Sequence, residues 1–138
     1  METEVLIASL RGVDDFLLHF VAALVLVGLF LFIYIHITPY REITLIRDGN
    51  QAAAYSLSGA FLGFIIPLAI AITQSVSFLD MLLWGAIALI VQLLAFVCVR
   101  MLVPKLVEDI PAGKRAPGLF VGAFSLGVGI LNAASMTY

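Results

Sequence analysis

Residues 16–37 read FLLHFVAALVLVGLFLFIYIHI and contain no Asp, Glu, Lys or Arg. A bilayer's hydrocarbon core is about 30 Å thick, and a helix rising about 1.5 Å per residue crosses it in roughly 20 apolar residues. The stretch is long enough to span, and in lipid a helix satisfies every backbone amide and carbonyl internally, which an open strand cannot do. Working outward, three more stretches meet the same length: Ala52 to Thr73, Leu79 to Val103 and Pro117 to Met136. The alternating pattern of a membrane barrel is absent. The expected fold class is an all-α integral membrane protein with four transmembrane helices.

Composition agrees with this and removes several functions. The chain is 63% hydrophobic and 12% charged, against about a quarter charged in soluble domains; the lipid bilayer is its expected partner. A net charge of -2, with no basic cluster, excludes nucleic acid. The single cysteine, Cys98, has neither a disulfide partner nor a Cys/His spacing for zinc, and reads as a small packing residue. No HExxH, GxSxG, Walker loop, paired intramembrane aspartate or haem-ligating histidine pair occurs, so no catalytic residue, cofactor or metal is expected and the chain does not read as an enzyme.

Orientation follows from the cations, which are retained on the cytoplasmic side. Arg41 and Arg47 lie between the first two spans, and Arg100, Lys105, Lys114 and Arg115 lie at or between the last two. The Gln74–Phe78 connection has none, and the N-terminal segment only Arg11. Both termini are therefore expected outside the cytoplasm, with residues 1–15 as an extracytoplasmic tail. Glu2, Glu4, Asp14 and Asp15, with the length of the span that follows, argue against a cleaved signal peptide.

The two halves align on one another. Asp15 falls on Asp80, Pro39 on Pro104, and Gly59-Ala60-Phe61 on Gly122-Ala123-Phe124. The expectation is two tandem parallel two-helix repeats, 16–77 and 78–138, related by an axis along the membrane normal. Each proline stops a helix as the chain leaves the membrane. After the first, residues 42–47 should form a short helix or turn on the inner surface, before Asp48-Gly49-Asn50 turns the chain back.

This loop carries a resemblance. Thr38-Pro39-Tyr40, Glu42, Leu45-Ile46-Arg47, Gly49-Asn50 and Ala52-Ala53-Ala54, followed by Gly59, Gly63 and Pro67-Leu68, resemble the YjfL-like bacterial inner-membrane family, catalogued as a domain of unknown function (number 350). The resemblance covers nearly the whole chain, with its centre at Arg47 to Ala54. It implies a four-span protein of the bacterial inner (plasma) membrane with two copies of a two-helix domain. It brings no reaction, ligand or catalytic residue. The second half has Pro111-Ala112-Gly113-Lys114-Arg115 where the first has the Arg-x-Gly-Asn turn.

Small residues recur on the second helix of each half: Ser56, Gly59 and Gly63, then Gly118, Gly122, Ser125 and Gly129. Such stripes let backbones approach closely in lipid. They either pack within one monomer or line a subunit contact or pore. Gln92, counted inward from Asp80, lies about 18 Å down at about 1.5 Å per residue. It either bonds a carbonyl or Asn132 across a helix contact or lines a polar path with Asn132 and His36. His19, His36 and Arg100 sit close enough to the surfaces to be satisfied there. Asp14, Asp15 and Asp80 read as outer-rim residues, and Glu42, Asp48, Glu108 and Asp109 as inner-loop residues. With no carboxylate inside the membrane, an ion-coupled pump is disfavoured.

Two functions remain. The first is an oligomeric membrane assembly module that recruits a cytoplasmic peripheral protein through its loops, with Glu42, Arg47, Gly49 and Asn50 as the loop motif. The alternative is a homo-oligomeric channel or passive permease for an ion or small polar solute.

Overall fold

The computed structural model describes residues 1–136, so the last two residues of the expected second repeat lie outside the described residues. Six helices follow in order: α1 (Glu2–Ile37), α2 (Glu42–Arg47), α3 (Gln51–Gln74), α4 (Phe78–Leu102), α5 (Leu106–Asp109) and α6 (Arg115–Ser135). Four of them, α1, α3, α4 and α6, are long and apolar enough to cross a membrane. The short α2 and α5 lie at one end of the bundle, here termed the loop end.

The expected tail at 1–15 is not a separate segment, because α1 is helical from Glu2. Glu, Leu and Ala are strong helix formers, and two acidic groups in the first turn complement the helix dipole. Its 36 residues make a rod of about 54 Å, well beyond the hydrocarbon core. The N-terminal half is exposed; α1 buries only Ala23, Phe30 and Tyr34.

The core lies between α3, α4 and α6. Helices α3 and α6 run in the same direction and touch backbone to backbone. A Cβ placed on Gly59 would collide with the Gly122 backbone, one on Gly118 with Ala52, and one on Gly129 with Gly63. All seven small residues of the two stripes, Ser56, Gly59, Gly63, Gly118, Gly122, Ser125 and Gly129, are buried. They face one another inside a single monomer. The opposed groups are largely carbonyls: Gly122 faces the Tyr55 oxygen, and Gly63 that of Ser125. Cα–H to oxygen contacts of this kind add a modest attraction where lipid removes the hydrophobic drive. Pro67 lies inside α3 and has no amide hydrogen, so the Gly63 carbonyl four residues earlier lacks its helix bond. Gly129 packs against that carbonyl.

Aromatic side chains attach α1 to this core. Phe30 stacks on Phe64 of α3 with centroids 4.7 Å apart. Tyr34 meets Phe96 of α4 edge-on at 5.4 Å.

Gly59→Leu is therefore expected to destabilise the detergent-solubilised protein by more than the roughly 1–3 kcal/mol of ordinary overpacking, because the obstacle is backbone. Gly127→Ala, with open space around it, should cost nothing. Thermal or denaturant unfolding of both variants checks this.

Candidate functional site

At the loop end the chain leaves α1 at Thr38, whose φ -74 and ψ 135 are extended, and bends through Pro39 and Tyr40 to α2. Burial alternates along this bend: Thr38, Tyr40 and Glu42 are buried, while Pro39 and Arg41 between them are exposed. The alternation delivers a carboxyl group into the protein. Glu42 was expected among the inner-loop charges, but it is 1% exposed. The segment is too short to register in hydropathy; its one legible signal was this period of two.

Around Glu42 stand Tyr34 from α1, Tyr40 from the connection and Ser56 from α3. The two phenols interact electrostatically with the carboxyl, and the Ser56 hydroxyl lies against both. Tyr34 and Ser56 are completely buried. Both carboxyl oxygens of Glu42, both phenol oxygens and the Ser56 hydroxyl lack a well-formed hydrogen bond within the protein. The Thr38 hydroxyl, which interacts with Glu42, is directed to the Ile35 carbonyl at 3.2 Å and the Tyr40 carbonyl at 3.4 Å. Burial pushes the Glu42 carboxyl up to about 8, with only Thr38 pulling the other way. Burial, then the Glu42 charge, also pushes the Tyr40 phenol up, while Ser56 and Arg100 draw it down. A shallow groove of about 240 Å³, lined by Ile35, His36, Arg41, Glu42, Ile43 and Thr44, reaches this cluster from outside.

The rest of the loop motif is structural or exposed. Gly49 adopts φ 85, the left-handed turn that ends α2. Asn50 caps α3, its side-chain oxygen accepting from the Ala53 amide at 2.9 Å. Its amide group donates to the carbonyls of Ile110 at 2.9 Å and Pro111 at 3.3 Å. One residue thus starts a helix and joins the two loops. Arg47 is exposed. In the second loop Gly113, at φ 82, makes the matching turn, and Lys114 pairs with Asp109 at 3.2 Å.

The residues assigned to a polar path do not form one group. Gln92 is buried on α4 and donates to the Ser125 carbonyl at 2.8 Å. It is packed beside Gly63, where a Cβ would strike its amide. Among the described residues its acceptor oxygen, the Ser125 hydroxyl and the Asn132 amide nitrogen lack hydrogen-bond partners. His36 lies apart from them, exposed, with Nδ1 2.6 Å from the Phe32 carbonyl. Arg100 is exposed at the loop end.

Residues 5–136 match the model of the Domain of Unknown Function (DUF350) family. The chain belongs to the DUF350 family. It is 45% identical over 120 residues to the UPF0719 inner membrane protein YjfL of Escherichia coli K12, covering 87% of this chain and 91% of that one. It is 31% identical over 118 residues to the UPF0719 transmembrane protein YshE of Bacillus subtilis, covering 84% and 87%. No solved structure matches this DUF350 chain. The chain is thus a multi-pass inner-membrane protein of a family whose function is unknown.

Two outcomes follow from the site. Asn50→Ala should lower stability by about 1–2 kcal/mol through the lost cap, whereas Asn50→Asp keeps the cap and loses only the link to the second loop; denaturant unfolding separates them. For Glu42, the unfolded chain releases its proton near about 4.3, but the folded chain holds it to about 8. The folded state binds more protons between these values, so its stability falls as pH rises through that window and levels off above it. The difference in melting temperature between the wild type and Glu42→Gln should shift against the wild type from pH 5 to pH 9.

Proposed function

We propose that the protein is an oligomeric membrane assembly module whose loop end is a docking face for a cytoplasmic peripheral protein, with both termini on the opposite side. The observation that carries this is the Asn50 link to the Ile110 and Pro111 carbonyls, which makes one surface of two loops distant in sequence. Arg47, Asp48, Lys105, Glu108, Lys114 and Arg115 are exposed on those loops, giving that face charge on a prearranged frame. The cation asymmetry of the loops supports the orientation. Because the glycine stripes are occupied within the monomer, contact between copies falls to the outer surfaces. The weakly engaged flank of α1 supports that reading. A duplication origin is supported by the meeting of Gly59 with Gly122, two residues that align between halves, as a pseudo-two-fold axis between α3 and α6 requires.

Charge reversal of Arg47 and Lys114 together is expected to abolish site-specific photo-crosslinking from position 44 to the partner, with membrane insertion and melting temperature unchanged. Crosslinking that persists through this reversal would refute the docking face.

A channel or passive permease is the second reading, favoured by the unpartnered polar atoms of Gln92, Ser125 and Asn132. The tight α3–α6 contact leaves such a path to form between copies. Proteoliposomes that pass no sodium, potassium or glycerol beyond protein-free vesicles would eliminate it.

A further inference from the structure

The structure assigns Glu42 as a proton-binding site built into the loop end, a neutral carboxylic acid whose ionisation dislodges α2 from the bundle. The proposal is independent of whether the loop end receives a partner.

The geometry leaves Glu42 few ways to exist. Its carboxyl is almost wholly buried, and neither oxygen is well hydrogen-bonded within the protein. The groups packed toward it are Tyr34 from α1, Thr38 and Tyr40 from the connection, and Ser56 from α3. None is a cation. Arg100 of α4 acts on Tyr40, and His36 and Arg41 line the groove beside Glu42. These three are exposed, and none forms an ion pair with Glu42 among the described residues. An ionised carboxylate without a cation partner is costly in apolar surroundings, and the usual outcome is that the group takes up a proton. A divalent ion would ordinarily require more carboxylates than one.

Ionisation acts on a mobile-sized piece. Helix α2 has six residues, and Glu42, its first, is the residue it buries. Placing a charge there opposes the burial of α2's first turn and leaves half-buried Leu45 and Ile46 as its remaining hold on the core, and the adjoining groove, which Glu42 lines, lies on the water side. The upward displacement to about 8 puts the change close to neutral pH, where a modest rise would alter the fraction ionised. Carboxyl groups with shifts of this kind recur at functional sites.

The test is an infrared pH titration of the full chain in lipid nanodiscs, from pH 5 to pH 10. A protonated-carboxyl carbonyl band should persist above pH 6, disappear with a midpoint near 8, and be absent above pH 6 in Glu42→Gln. A wild-type band that is already gone at pH 6 overturns the proposal, and so does a midpoint that moves with sodium concentration at constant ionic strength, which would assign the site to a metal cation. Gln resembles the neutral acid in shape and polarity, so Glu42→Gln should insert and fold as the wild type does at pH 6. Should that variant fail to fold, the wild-type band and its midpoint still decide. For α2, a thiol probe at position 45, where Leu45 is half-buried against the core, in a Cys98→Ser background should gain accessibility between pH 6 and 9, after correction for thiolate fraction on an exposed control. The same probe beside Glu42→Gln should not; equal gains in both would refute the movement of α2.

Discussion

The direct contact between the backbones of α3 and α6 is the constraint on which the rest of the molecule depends. Lipid tails are as apolar as leucine, so helices in a bilayer gain little by burying leucine against leucine. They gain from close approach. Where Gly59 meets Gly122 and Gly129 meets Gly63, no side chain separates the two rods. The polar backbone atoms of each become part of the other's surroundings. Pro67 deepens this by freeing the Gly63 carbonyl, the one Gly129 covers. Helix α4 then joins through the bond from Gln92 to the Ser125 carbonyl, and α1 through stacked aromatic rings. The order of intimacy is plain: backbone on backbone, side chain on backbone, ring on ring.

That hierarchy places the polar cluster at the loop end. Because α3 and α6 both begin there, the connections entering them are drawn together, and Asn50 completes the junction by capping one helix while holding the other loop. The chain arriving from α1 has only a few residues in which to reach α2. It bends through Thr38, Pro39 and Tyr40, and alternate residues along it are buried, Glu42 among them. The burial of this acid is a consequence of how the connection must run.

The four spans were legible because their length and apolar content leave lipid no alternative, and the short helix after Pro39 was legible from its mixture of charged and apolar residues. The start of α1 was not, since Glu2, Glu4, Asp14 and Asp15 mark an aqueous environment without marking the end of a helix. The glycine stripes announced close contact but were silent on whether the opposing surface belonged to the same chain. Gln92 was recognisable as a residue needing a partner; that the partner is a Ser125 carbonyl depends on register between helices, which no local pattern encodes. Glu42 was the least legible. A charged residue in a short connection ordinarily faces water, and only the placement of Tyr40 and Thr38 two and four positions earlier hinted otherwise.

The great length of α1 gives the molecule an uneven profile. Three spanning helices end near one level while the fourth continues past them alone. A bilayer that thickened or thinned would therefore register first along that protruding column, by tilt or by a change in how many turns are immersed. The glycine-welded pair would be spared.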